Sequence, residues 1–409
     1  MELKPGNKHS EVGVIPEDWG TYSLGKLLKF QNGRGFQQSE WRRTGLPIIR
    51  IQNLNDADAD FNFFDGNIQD KYLVRPGDLL FAWSGTIGTS FGPRIWHGET
   101  GVLNQHIFRV SKLSSKIALS YALHLLESAA THIASQTHGF KSSFVHVKKR
   151  DLEKVVAALP PTVDEQERIC EALKDFDSYL SAIERSIAKK RDIKQAAMQE
   201  LLTGKRRLPG FEGEWEVKRL KDIIKIPVTD GPHMTPRFLD YGVPFLSVNN
   251  LVNNRVDFSD LRFISEEDHR DFSRKCKPQK GDILLGKAAS VGKVAIVESD
   301  TDFNIWSPIA LIRIAENNSP RFVYYALQSQ DIVGQINLLT NASSQGNIGM
   351  SDIEKLSFRL PENKEQTAIA SMLSEVDAEL TAFEARMEKV QRLKQGMMQQ
   401  LLTGKIRLK

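Results

Sequence analysis

The side chains able to do chemistry are scattered along this chain without the spacing that chemistry needs. Its nine histidines include no HExxH pair, the arrangement that sets two imidazoles on one helix face around a metal ion. His97, His106 and His132 read as surface or core residues. The two cysteines, Cys170 and Cys276, form no CxxC pair and read as inert thiols rather than as a disulfide or zinc ligands. No metal site is expected. Gly204-Lys205 lacks both the upstream glycine and the following hydroxyl of a phosphate-binding loop. Gly33-Arg34-Gly35 is too short to cradle a dinucleotide and marks a turn. Thr162, not an aromatic residue, follows Pro160-Pro161, so the amino-methyltransferase motif is missing and the prolines read as helix entry. Asp151 and Glu153, like Asp352 and Glu354, are expected to open a strand or turn, with nuclease carboxylates as the alternative. No catalytic residue is assigned.

The elements that carry these residues are organised by an internal repeat. Leu201-Leu202-Thr203-Gly204-Lys205 returns unchanged as Leu401-Leu402-Thr403-Gly404-Lys405. Glu165-Gln166, Asp177, Glu184, Lys194-Gln195 and Met198 recur at the same offset. Each copy predicts one long helix with apolar residues at alternating steps of four and three. The first seam is Ile169, Leu173, Phe176, Leu180, Ile183 and Ile187. The second is Ile369, Leu373, Val376, Leu380, Phe383, Met387 and Val390. This is the a/d pattern of a coiled coil. Thr162-x-x-Glu165 predicts a capping box, Asn363-x-x-Gln366 a looser one, and Gly204 and Gly404 predict left-handed stops. Such a helix is about 60 Å long at 1.5 Å per residue. Pairing of the two helices within the chain is the economical expectation, against each packing only on its neighbouring globular module. Lys189-Lys190-Arg191 and Lys205-Arg206-Arg207 are expected to be solvated charges.

The segments between the helices echo one another more faintly. Leu46–Leu54 matches Val243–Leu251, Gly77-Asp78 matches Gly281-Asp282, and Tyr121-Ala122-Leu123 matches Tyr325-Ala326-Leu327. Short apolar runs at 48–51, 79–81 and 107–110 predict strands, and 117–134 and 321–339 predict helices. The fold class is α+β: two mixed α/β domains, each with one twisted sheet, and two long helices forming an intramolecular coiled coil. The expected boundaries are 1–158, 159–207, 208–360 and 361–409. A net charge of +4 is weakly basic for a chain that grips DNA alone. No run suggests a membrane span, and the N-terminus has no apolar signal core, so no membrane contact and a cytoplasmic protein are expected.

A repeated pair of modules on a helical spacer suits a duplex if the helices run antiparallel, because a pseudo-two-fold axis then relates two readers. The heptads alone leave a parallel pair open. Glu11–Trp19 followed by Leu24-Gly25, Leu159–Ile169 with Lys194-Gln195 and Leu201–Lys205, and their return at Leu360–Ile369 and Lys394–Lys405 resemble the specificity subunits of type I restriction–modification systems. The resemblance covers essentially the whole chain. It implies two target-recognition domains, each reading one half of an asymmetric, bipartite site in double-stranded DNA across a spacer set by the helices. It also implies two modification subunits that methylate adenine with S-adenosylmethionine, restriction subunits that use ATP and Mg, and no chemistry in this chain. A self-sufficient methyltransferase or nuclease, and a purely structural assembly scaffold, are the competing readings.

Base edges are read by Arg on guanine, Asn or Gln on adenine, and Ser or Thr on several partners, while Lys and Arg set register on phosphates. Loop residues of those types in the first domain are Arg34, Gln52, Asn53, Ser84, Thr86 and Lys141. In the second they are Arg237, Asn249, Asn250, Lys287, Ser290, Lys293, Ser344, Gln345 and Asn347. The repeat equates the positions Asn53/Asn250, Ser84/Lys287 and Thr86/Ser290. The bland reading of each is an exposed loop residue. Trp83 reads as a core residue, with stacking on a base as the alternative.

Overall fold

The computed structural model describes residues 5–56, 59–137, 144–341 and 346–408. The chain divides into two compact units, Met1–Ile183 with Arg386–Lys409, and Glu184–Ala385. Each unit therefore takes one globular module and part of each long helix, where the sequence suggested four consecutive segments.

In the first unit an antiparallel sheet has the strand order Gly92–Ile95, Leu79–Ala82, Ile107–Lys112, Leu28–Asn32. Leu79–Ala82 is buried along its whole length, which is why it reads as an unbroken apolar run. A second sheet has the order Phe63–Phe64, Leu46–Ile49, Gly101–Leu103, Leu73–Val74, with its two central strands parallel. Among the described residues two four-stranded sheets and three two-stranded ones thus replace the single expected sheet. Ile51, expected in a strand, instead opens the short helix Ile51–Asn55. Helix Leu119–Thr137 packs on the first sheet, and Trp19, Phe30, Phe81 and Tyr121 fill the core between them.

The second unit repeats the plan. Its main sheet has the order Thr229–Asp230, Ile309–Ile312, Ile283–Gly286, Val294–Ile296, Arg255–Val256, Leu251–Val252. A three-stranded sheet sets Val243–Leu246 parallel to Asn304–Ile305, with Arg262–Ile264 on its other side. The helix expected at 321–339 is two, Pro320–Ala326 and Gln330–Asn341. Ser329 interrupts it, its hydroxyl accepting from the Ile332 N–H at 3.4 Å in place of a helical carbonyl. Asp151 and Glu153 lie on a short helix, Lys149–Lys154, and Asp352 on another, Met350–Ile353, so the expected strand or turn is corrected for these three, while Glu354 does lie in a turn. Cys276 is buried, which pushes its thiol up to about 12.

The long helices are Val163–Leu201 and Asn363–Leu401, each followed by a left-handed glycine, Gly204 at φ 72° and Gly404 at φ 68°. Every seam residue is buried or half-buried. Within the first unit Asp177 pairs with Lys394 at 2.6 Å, and Arg407, past the end of the second helix, pairs with Glu165 at the start of the first. Within the second, Arg191 pairs with Glu384, Lys194 with Asp377 and Arg207 with Glu365. In both units one helix ascends as the other descends, so the pair is antiparallel. The alternative of packing on the globular module holds too, at the helix ends. Ile169 and Leu173 sit in one core with Leu24, Leu401 and Leu402, and Ile369 and Leu373 in another with Leu201, Leu202 and Phe322.

Two expectations about helix starts change. The Glu165 N–H bonds the Thr162 hydroxyl at 3.3 Å, but the Glu165 carboxylate goes to Arg407 instead of closing a capping box. Gln366 turns to the globular module, accepting from the Ser319 N–H and donating to Asn318 and Pro361, as Gln166 does to Ala118 and Lys116. Of the charges expected to be solvated, Lys190 and Arg207 are half-buried in ion pairs with Glu379 and Glu365, while Arg191 stays exposed beside Glu384.

Candidate nucleic-acid interface

In each unit the strands of the main sheet deliver their loops to one end. Asn32 lies opposite Phe108, and Ala82 opposite both Ile107 and Gly92. Gly33–Gly35, Trp83–Thr86 and Gln105-His106 therefore leave that edge together, and Phe144–His146 joins them by pairing with Ser84–Thr86. Gly33 must be glycine here, because a Cβ would stand 2.0 Å from the Asn104 carbonyl. In the second unit Asp230 lies opposite Ala310 and Gly286 opposite Ile309. Asp230-Gly231, Lys287 and the turn to Lys293 gather there, with Asn347-Ile348 held by the Ile348 N–H donating to the Lys287 carbonyl at 3.0 Å. Gly231 repeats the close approach, its Cβ position 1.6 Å from the Ile305 carbonyl.

The sequence-derived candidates fall into distinct environments. Asn53 and Asn250 are buried, and they hold loops of their own domains. The Asn53 amide takes the Arg50 N–H and donates to Ala59 and Asp60, and that of Asn250 takes the Ser247 N–H and donates to Asp257 and Asp260. Their repeat equivalence is a shared loop lock, and both leave the set of outward-facing side chains. Gln52 and Asn249, the neighbours before each lock, are exposed. Arg34 is engaged within its domain, paired with Glu40 and lying 4.8 and 5.0 Å from the Phe36 and Phe64 rings. The Gln37 N–H, and then Arg34, hold the Glu40 carboxyl below its usual range against partial burial. Ser84 is buried, and Thr86, Ser290 and Asn347 are half-buried. Arg237 and Lys293 are exposed. Lys141, Ser344 and Gln345 lie outside the described residues.

Backbone bonds correct one repeat equivalence. The Trp83 N–H donates to His106 and its carbonyl accepts from Val147, while the Lys287 N–H donates to Pro308 and its carbonyl accepts from Ile348. Lys287 thus stands where Trp83 stands, and not where Ser84 does. Trp83 is half-buried, its indole N–H on the Gln105 carbonyl and its ring 5.0 Å from His106 and 4.7 Å from His146. Lys287 reaches Asp230 at 3.0 Å, and that fully buried carboxylate also takes Lys275 at 2.5 Å and lies 3.4 Å from His233. Burial alone would raise the Asp230 carboxyl, but the lysines outweigh it and hold it below the usual range. Residue type and spacing give no sign of the Asp230 group, whose members come from three separate elements. Among the described residues no cluster of His, Cys, Asp and Glu is arranged to hold a metal ion, and no helix is long and apolar enough to cross a membrane.

Comparison with known proteins identifies the family. The chain is 26% identical to the type I restriction enzyme MjaVIII specificity subunit of Methanocaldococcus jannaschii, over 97% of this chain and 94% of that one. It is 23% identical to the EcoBI specificity subunit of Escherichia coli, over 96% and 87%. Among solved structures, the type I restriction–modification S subunit from M. genitalium superposes with a TM-score of 0.55 at 12% identity, covering 98% of both chains. A chain from a structural study of type I R-M complex assembly gives 0.56 at 18% identity, over 96% of this chain and 99% of that one. The family model for the type I restriction modification DNA specificity domain matches twice, at residues 16–195 and 212–392, and the chain belongs to that family.

Proposed function

We propose that this chain is the sequence-reading subunit of a type I restriction–modification complex, with each globular domain reading one half of a bipartite, asymmetric site in double-stranded DNA. The observation that carries this reading is a framework kept in duplicate while its outward chemistry is exchanged. The backbone at Trp83 and at Lys287 makes the same bonds, yet one position offers an aromatic surface and the other a cation. Duplicated scaffolding with divergent tips suits two different half-sites.

The antiparallel helices set the spacer and dock two modification subunits, which methylate adenine with S-adenosylmethionine. Restriction subunits, which carry ATP and Mg, add ATP-driven translocation and cleavage. This chain performs no chemistry and works in the cytoplasm. The modest net charge of +4 fits a reader that shares its phosphate grip with partners. Methylome sequencing of the host, with and without this chain, tests the proposal. A bipartite adenine-methylated motif should vanish on deletion, and survival of every adenine motif refutes the reading.

A further inference from the structure

Lys287 and Asp230 have a geometry that phosphate gripping does not require. Phosphate contacts tolerate a mobile, solvated ammonium, such as the exposed Lys293 supplies. Lys287 is different: its side chain is only 16% exposed and its ammonium rests 3.0 Å from a carboxylate with no solvent exposure. Its backbone is fixed on both sides, to Pro308 at 2.8 Å and Ile348 at 3.0 Å. The turn that follows folds tightly back, with Ala289 left-handed at φ 59° and the Ser290 carbonyl 2.3 Å from where a Gly286 Cβ would stand. An ammonium has three donors, and its ion pair with the buried Asp230 Oδ2, 3.0 Å away but outside hydrogen-bond geometry, holds the head group in place before any ligand arrives.

Lys275 meets the other oxygen of the same carboxylate, so the group keeps a net positive charge. The two lysines outweigh the Asp230 charge towards an approaching duplex. Fixed donors are what base-edge recognition needs, because the wrong edge is rejected only when the donor cannot move to suit it.

We propose that Lys287 is a specificity-determining residue of the second domain, donating to the acceptor edge of a guanine in its half-site, with Asp230 as the positioning residue. This rests on the sequence-reading function proposed above. The equivalent place in the first domain holds Trp83 with His106 and His146 beside it, so one framework position carries different recognition chemistry in the two domains.

The test uses the full chain assembled with its modification partner, with adenine methylation of plasmid DNA mapped by sequencing. Lys287→Met is expected to relax one guanine position in the second half-site, leave the first half unchanged, and weaken target binding about tenfold or more. Lys287→Arg, which keeps a guanine-directed donor, should retain that position. Asp230→Asn should relax the same position as Lys287→Met, with circular dichroism unchanged. An unaltered motif with an equal loss of affinity for target and random duplexes and a smaller salt slope identifies a phosphate contact and overturns the proposal. So does an unaltered motif and affinity with only a lower melting temperature, the mark of a strand tie. A wild-type complex that methylates no bipartite motif refutes the underlying function, and the inference with it, before any variant is compared.

Discussion

Arg207 and Glu365 meet in a two-point ion pair: Nε and Nη2 of the arginine donate to the two carboxylate oxygens at 2.6 and 2.7 Å. Glu365 lies at the start of the second long helix with no exposed surface, and Arg207 comes from just past the end of the first. Arg407 and Glu165 repeat the pair in the first unit, both bonds at 2.7 Å. Each arginine also lies over a tryptophan, Arg207 5.7 Å from Trp215 and Arg407 5.9 Å from Trp19. The pair closes each antiparallel helix end onto its globular module.

Removing one partner of such a pair strands a buried charge, while removing both does not. Arg207→Met should therefore lower the denaturation midpoint more than the double variant Arg207→Met with Glu365→Met. Urea titration followed by circular dichroism measures both. A double variant as unstable as the sum of its singles would show that the charges are not coupled.

The loop locks separate stability from reading. Asn250→Ala leaves the Ser247 N–H and the Asp257 and Asp260 carbonyls without the side-chain partner of their part-buried hydrogen bonds, which should cost about 1 kcal/mol or more while the methylated motif stays the same. Asn249→Ala, at an exposed neighbour, should change stability by no more than about 0.5 kcal/mol. It is expected to weaken binding to the second half-site in a fluorescence anisotropy titration. Reversed outcomes at the two positions would contradict the assignment of Asn250 as a lock.

Helix register is fixed on both sides of any insertion near Ile183, by Asp177 with Lys394 and by Lys194 with Asp377. Four residues inserted after Ile183 alone should disturb one set of pairs and lower stability. A matched insertion after Ala385 should restore it and lengthen both helices by about 6 Å at 1.5 Å per residue. The tolerated gap between half-sites should then grow by about two base steps of roughly 3.4 Å, with the bases of each half unchanged. Altered half-site bases in the methylome would break the spacer model.

Asp230 gives a signed acid dependence. Its folded carboxyl titrates below the ordinary value because Lys275 and Lys287 outweigh the effect of burial. Its contribution to stability is therefore complete above the unfolded value, about 3.9, and is lost as pH falls through the folded one. Melting temperatures of wild type and Asp230→Asn should converge as pH drops below about 4. A constant difference across that range would mean the carboxylate is not linked to folding.

The long helices were legible in the sequence because their determinants are local. A 3.6-residue period, a hydroxyl at the start and a glycine at the stop act within a few turns, and Thr162, Gly204 and Gly404 all behave as their types require. Exact repetition of Leu201–Lys205 made the duplication visible, and with it the family. Direction of pairing was not legible, since an a/d seam is the same read either way. It follows from ion pairs between residues far apart in the chain, such as Lys194 with Asp377. The loops were the least legible part. Asn is the type for reading adenine and equally for pinning a turn, and only burial shows that Asn53 and Asn250 do the second. The Asp230–Lys275–Lys287 group has no sequence signal, because strand pairing and helix packing bring together residues far apart in the chain, Asp230 and Lys275 by 45 positions. Residue type and period determined the helices and the repeat; tertiary structure alone decided which polar side chains are used up inside each domain and which face outward, because that depends on contacts between distant segments.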